Sequence, residues 1–282
     1  MMVILREDIS GGLEFVKISL FNDINNSDIP PMMTYTSSCV LTSDSCTEEF
    51  ESVPLPCTCD DNCLKKCSCW DTEVYTNGKL AENYSNDFGK PIIECSNLCS
   101  CTEECSNRIV QQGICFSLQV FMTMSRGFGV RTMEFIPKSS FVCEYAGEVI
   151  DVHEAKKRLA KQEFDCMNYI FVIREYCSKE VCKRTIIDPT IVGNIGRYLN
   201  HSCSPNLISV PVRSNSMVPK ICFFANCDID PLQELTYDYG GSSEIRNANI
   251  KKLNLISADN ARKCLCGSKN CTAYLPFSND LL

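Results

Sequence analysis

Apolar and polar positions divide the chain into stretches of different character. Between 109 and 240 short β-prone runs recur: FSLQVFMTM (116–124), SSFVCEYAGEVI (139–150), NYIFVI (168–173) and KICFFANCDI (220–229). Gly, Pro and Asp bound them, the pattern of short strands closed by turns. One stretch reads as a helix, DVHEAKKRLAKQEF, with Asp151 as N-cap and Glu154 three residues on as its capping-box partner. Residues 57–105 hold little apolar sequence and many cysteines, so something other than burial must order them. Residues 1–50 are weakly patterned; FNDINNSDIPP reads as loop, and no chemistry is assigned there. Residues 241–260 are polar and read as a linker, followed by the cysteine segment CLCGSKNC at 264–271. The expected layout is an N-terminal segment, partly irregular, at 1–50, a cysteine module at 51–108, a mainly β (α+β) domain at 109–240, a linker at 241–260 and a tail at 261–282.

Composition adds a compartment and a chemistry. A hydrophobic fraction of 44% and a charged fraction of 22% suit a globular chain that buries a core. With 282 residues, that core belongs to one large domain or two smaller ones. The 22 cysteines mean either a disulfide scaffold or metal binding. In MMVILREDISGGLEF the apolar run is broken by Arg6, Glu7 and Asp8, too early for a secretory signal. No run approaches the about 20 apolar residues of a membrane span. An intracellular protein with reduced thiols is therefore expected, and metal binding comes first. The formal charge of −8 becomes more negative when thiolates bind zinc. Such a balance disfavours direct DNA binding and suits a basic peptide.

Cys57, Cys59, Cys63, Cys67 and Cys69 have the spacing CxCx3Cx3CxC. After 25 residues, Cys95, Cys99, Cys101 and Cys105 follow as Cx3CxCx3C. Zinc prefers four tetrahedral sulfur ligands, and nine thiolates satisfy three ions if three of them bridge. That is a closed, structural cluster. The alternative, a disulfide framework in a secreted protein, is opposed by the odd number and by the N-terminus.

Four further segments follow: Arg126-Gly127-Phe128-Gly129-Val130-Arg131, Glu144-Tyr145-Ala146-Gly147-Glu148-Val149, Arg197-Tyr198-Leu199-Asn200-His201-Ser202-Cys203-Ser204-Pro205-Asn206 and Glu234-Leu235-Thr236-Tyr237-Asp238-Tyr239-Gly240. Taken singly they read as a glycine turn, a strand and turn, a core histidine, and a strand with buried aromatics. In this order, after the nine-cysteine array, they resemble the SET-domain protein-lysine methyltransferases that carry pre-SET and post-SET zinc regions. The resemblance covers roughly residues 55–282. Within the family, VPVRSNSMVPK, DPTIVGNIGRYLNHSC and CTAYLPF are similar to the methyltransferase portion of the SET–mariner transposase fusions, of which a free-standing relative is expected. The family more often has Trp where this chain has Phe128, and the first cysteine group is more tightly spaced than usual.

The resemblance implies a SET β-clip-like fold with a pseudoknot, S-adenosylmethionine as methyl donor, and site residues. Arg126, Gly127, Phe128, Gly129, Tyr169, Arg197, Asn200 and His201 would hold the cofactor. Tyr239 would be the catalytic tyrosine, with Tyr145 and Tyr237 lining the lysine channel. A Tyr at 237 in place of Phe implies mono- or dimethylation. Cys203 would join Cys264, Cys266 and Cys271 around a fourth zinc. The implied partner is a histone H3 tail lysine (9, 36 or 4) in chromatin, in the nucleus, with no sequence-specific DNA binding and no membrane. A non-histone substrate and a catalytically silent chromatin-binding protein are the rival functions. Cysteines 39, 46, 115, 143, 166, 177, 182, 222 and 227 read as ordinary buried or free thiols, with Cys177 and Cys182 able to face each other across a hairpin.

Overall fold

The structure, a computed structural model, describes residues 4–25, 28–31, 33–42, 46–59, 62–63, 67–69, 74–82, 84, 91–161, 167–176, 182–241 and 262–276. Cys166, Cys177 and nearly all of the 241–260 linker lie outside them. Among the described residues the chain is mainly β, with short helices at Thr47–Glu51 and Val152–Lys161. No described helix is long and apolar enough to cross a membrane.

A six-stranded sheet runs in the order Ile4–Arg6, Ser19–Phe21, Leu118–Met122, Phe128–Thr132, Glu234–Tyr237, Asn200–His201. Leu118, Val120, Val130 and Leu235 are fully buried along it, and these side chains give the strands their reason to pair. Glu234–Tyr237 lies between Phe128–Thr132 and Asn200–His201, pairing with the latter in parallel (Asn200 opposite Thr236, His201 opposite Tyr237). Three of the four sequence motifs thus become neighbours in one sheet. This is the juxtaposition that the pseudoknot expectation requires.

The run SSFVCEYAGEVI, expected as one strand, is two, and they belong to different sheets. Phe141–Glu144 joins Lys220–Ala225, Leu207–Arg213 and Ile92–Ile93, whereas Gly147–Ile150 joins Cys182–Gly193, Phe171–Tyr176, Val40–Leu41 and Thr34–Tyr35. Asn194 pins the crossing: its Nδ2 donates to Glu144 O at 2.8 Å, and its Oδ1 accepts from the amides of Ala146 at 3.2 Å and Gly196 at 2.9 Å. A Cβ on Gly147 would stand 2.7 Å from the Pro189 nitrogen, so only glycine fits this close approach.

Residues 1–50 do more than loop. Thr34–Tyr35 and Val40–Leu41 pair in parallel with Val192–Gly193 and Glu148–Val149. Between them, Ser38 Oγ and the Cys39 amide donate to the buried Glu144 carboxylate, which Lys220 Nζ meets at 2.9 Å. The helix Val152–Lys161 opens as expected, Glu154 N donating to Asp151 Oδ1 at 2.8 Å. Its Arg158 then ties it to the sheet through Glu148 at 2.7 Å and Asp188 at 2.8 Å.

Candidate active site

Tyr237 closes the strand Glu234–Tyr237, and Tyr239 stands in the turn that follows, where the Gly241 amide donates to Asp238 O. The ring centroids of Tyr237 and Tyr239 lie 4.7 Å apart. Phe223, on Lys220–Ala225, packs on Tyr237 at 4.7 Å. Phe171 and Tyr145 complete the group, 6.2 Å and 6.5 Å from Tyr237. Phe171 and Phe223 were not expected here. Their only signal is an aromatic in a strand, which ordinarily means core.

The hydroxyls are fixed. Tyr239 Oη donates to Leu199 O at 2.8 Å, and Tyr145 Oη donates to Tyr169 O at 2.6 Å. Burial raises the pKa of Tyr145, Tyr237 and Tyr239 above that of an ordinary tyrosine, so all three keep their protons at neutral pH. The Tyr239 ring remains partly open to solvent.

One carboxylate organises the neighbouring corner. Glu234 pairs with Arg126 through one oxygen and accepts from Asn200 Nδ2 at 3.0 Å through the other. Asn200 also donates to Phe128 O at 3.2 Å. A Cβ on Gly129 would stand 2.8 Å from the same Glu234 oxygen, which explains the second glycine of the turn. The first, Gly127, has φ of 68°. Glu234 and Asn206 were quoted in the motifs without a role. Asn206 locks its loop to the strand, donating to Glu234 O at 2.8 Å and accepting from Thr236 N at 2.9 Å.

Arg197 stacks over the Tyr169 ring at 4.4 Å and donates to Thr190 O at 3.1 Å. Its buried Nε has no acceptor among the described residues. His201 is buried against Tyr239 at 5.3 Å. A series of contacts therefore runs from Arg126 through Glu234, Asn200, its neighbour His201, Tyr239, Tyr237 and Tyr145 to Tyr169 and Arg197. All the expected cofactor and channel residues lie in one region.

The sulfurs test the metal expectation. Zinc–sulfur bonds of about 2.3 Å in a tetrahedron separate the sulfurs by about 3.8 Å, whereas a disulfide holds them at about 2.0 Å. Cys57 and Cys63 lie 3.9 Å apart, Cys63 and Cys95 3.8 Å, Cys67 and Cys95 3.7 Å, and Cys69 and Cys99 3.7 Å. Cys59, Cys101 and Cys105 belong to the same cluster. Every described cysteine is a free thiol. Several sulfurs receive donors, among them Cys95 from Asn107 Nδ2 at 3.4 Å and Cys101 from Arg108 Nη2 at 3.6 Å, contacts that suit metal-ligating sulfurs. Sequence spacing alone does not single out Asn107 and Arg108. Separately, Cys203, Cys264, Cys266 and Cys271 bring their sulfurs within 4.8 Å of one another, joining the tail to the Asn200–His201 segment.

Comparison with known proteins agrees with this arrangement. The SET domain pattern matches residues 127–240, and the Pre-SET motif matches residues 10–108. Histone-lysine N-methyltransferase SETMAR of Mus musculus is 40% identical over 98% of this chain and 91% of its own length. The Homo sapiens protein of that name is 41% identical over 90% of this chain, which spans only 35% of it. The chain belongs to the SET-domain histone-lysine methyltransferase family. Among solved SET structures, the methyltransferase domain of human SETMAR superposes with a TM-score of 0.76 at 38% identity, covering 97% of this chain and 98% of that one. SUVH6 of Arabidopsis thaliana, solved in complex with SAM, gives 0.78 at 32% identity over 96% of this chain and 56% of that one. KRYPTONITE, solved with methylated DNA, an H3(1-15) peptide and SAH, gives 0.72 at 30% identity over 96% and 54%. The cysteine clusters in this SET chain are consistent with the zinc sites expected of it.

Proposed function

We propose that the chain transfers a methyl group from S-adenosylmethionine to a lysine side chain of the histone H3 tail and stops at the mono- or dimethyl product. The supporting observation is the group of rings Tyr145, Phe171, Phe223, Tyr237 and Tyr239, an aromatic lining for a lysine side chain, next to the Asn200–His201 corner. SUVH6 with SAM and KRYPTONITE with an H3 peptide support the choice of donor and acceptor.

The residues present suit the donor. Buried Arg197 has an unspent Nε, and a Cβ on Gly127 would meet nothing within 4 Å, leaving room beside the turn. Arg126, Gly127, Phe128, Gly129, Tyr169, Arg197, Asn200 and His201 would hold S-adenosylmethionine, which supplies an activated methyl on a sulfonium. Lysine must attack as the neutral amine, which is only about a thousandth of the population near neutral pH. An apolar channel walled by Phe171, Phe223 and Tyr237 favours that form by withdrawing water from the ammonium. The Tyr239 hydroxyl spends its proton on Leu199 O, so its oxygen is left to accept from the amine N–H and aim the nitrogen lone pair. The protonated tyrosines do not serve as bases, and the proton passes to water. The principal rate gain is alignment. The Tyr237 hydroxyl occupies space that a further methyl would need.

In this reading residues 51–108 form a pre-SET module whose nine cysteines hold three zinc ions. The catalytic domain is 109–240, and a post-SET tail at 261–282, reached through a linker at 241–260, uses one more zinc. The H3 tail adds as a strand between the 170–190 region and the tail, held by backbone pairing and drawn by the chain's negative balance. The site of action is nuclear chromatin.

A methyl-donor assay on intact H3 and on peptides centred on lysines 9, 36 and 4, read by mass spectrometry, tests this. Mono- and dimethyl products are expected from the natural chain, and Tyr237→Phe should add the trimethyl product. Efficient trimethylation by the natural chain, or transfer only to a protein other than H3, would overturn the proposal.

A further inference from the structure

His201 is buried with both ring nitrogens engaged. Nδ1 lies 3.2 Å from the amide nitrogen of Tyr239. A backbone amide only donates, so Nδ1 must present its lone pair. A neutral imidazole then carries its proton on Nε2, and Nε2 stands 3.3 Å from Cys203 Sγ. The contact is therefore an N–H donated to sulfur. Asp238 Oδ1, at 3.6 Å from Nδ1, is too far to compete for that nitrogen. Cys203 Sγ is in turn 3.9 Å from Cys264 Sγ and 3.5 Å from the Thr272 amide, inside the tail cluster. One stiff ring thus spans from the sulfur of Cys203 to the backbone of Tyr239, whose hydroxyl is anchored at its other end on Leu199 O.

We infer that His201 is a positioning residue that couples the tail's zinc to Tyr239. Its Nε2–H orients the Cys203 sulfur, while its Nδ1 holds the Tyr239 backbone. The inference rests on the zinc and cofactor readings above and adds the route between them. Donors to a ligand sulfur raise metal affinity, and an energetic link between two sites acts equally in both directions. Cofactor bound beside Tyr239 should therefore slow loss of the tail zinc, and it should do so through this imidazole rather than by direct contact with the tail.

The test challenges the reduced, zinc-loaded full chain with a chromogenic chelator, with and without S-adenosylmethionine. It compares the natural chain with His201→Phe, which keeps a ring and removes both nitrogens, and with His201→Gln, which restores a donor. Without cofactor, His201→Phe should lose the tail zinc at least about tenfold faster, and His201→Gln should recover part of the difference. Release from the nine-cysteine cluster should not change, which reports an intact fold. Cofactor added at a concentration that calorimetry shows to saturate each variant should slow tail-zinc release in the natural chain but not in His201→Phe. Histidine 15N spectra of the natural chain should show His201 protonated at Nε2 alone. A proton on Nδ1, unchanged tail-zinc release in His201→Phe, or cofactor protection that survives in His201→Phe would each overturn the coupling. If the natural chain bound no S-adenosylmethionine, the proposed reaction would fall, and the cofactor-free comparison would still decide the role of His201.

Discussion

At the scale of the residue, protonation decides what each tyrosine can do. Burial raises Tyr145, Tyr237 and Tyr239 above the ordinary tyrosine value, so their hydroxyls stay intact as pH rises through neutrality. The lysine amine, whose ordinary pKa is near about 10.4, instead gains its reactive form over that range. Measured kcat/KM should climb by about tenfold per pH unit from about pH 7 to about pH 9, without a descending limb. A maximum and fall inside that window would mean that a tyrosine whose protonated hydroxyl the reaction needs is losing its proton there, against the upward shift that burial gives. The three tyrosines were legible because each sits in a motif of several residues. Phe171 and Phe223 were not, since an aromatic in a β-prone run has the same signature whether it lines a channel or fills a core. Glu234 was equally silent, because its role depends on Arg126 and Asn200 arriving from distant parts of the chain.

At the scale of the element, the strands were legible in their alternation with turn residues, but their partners were not. Periodicity says which face is buried and nothing about which strand lies alongside. SSFVCEYAGEVI therefore reads as one run although Asn194 divides it between two sheets. The two-residue strands Thr34–Tyr35 and Val40–Leu41 are too short to carry a period, so residues 1–50 read as a weakly patterned, partly irregular segment. Their attachment depends on the buried Glu144–Lys220 pair with Ser38 and the Cys39 amide. Removing one member of a buried pair strands the other charge. Lys220→Met should cost about 3 kcal/mol in urea unfolding, with a smaller loss in Glu144→Gln/Lys220→Met, where both charges go. Equal losses in the two variants would show that the pair is not the fastening point.

At the scale of the whole molecule, clustered cysteines and sheet insertion bring distant parts of the chain together. The cysteine segment at 57–105 was legible as a metal module because its spacing has no other reading in a reduced chain, and its sulfur separations of 3.7–3.9 Å agree. The tail set was legible only through its likeness to a family, since three cysteines need Cys203 from 61 residues upstream of Cys264. That closure carries the tail to the segment holding Asn200 and His201. Glu234–Tyr237 reaches the same place by slotting beside Asn200–His201. The most direct test is to incubate the zinc-replete chain with deuteromethyl-labelled S-adenosylmethionine and histone octamers, then locate the label by mass spectrometry. Label is expected on an H3 tail lysine as mono- and dimethyl species, falling about a hundredfold in Tyr239→Phe, which keeps the ring and loses only the aligning oxygen. Cofactor binding with no labelled lysine, or full transfer by Tyr239→Phe, would contradict the account.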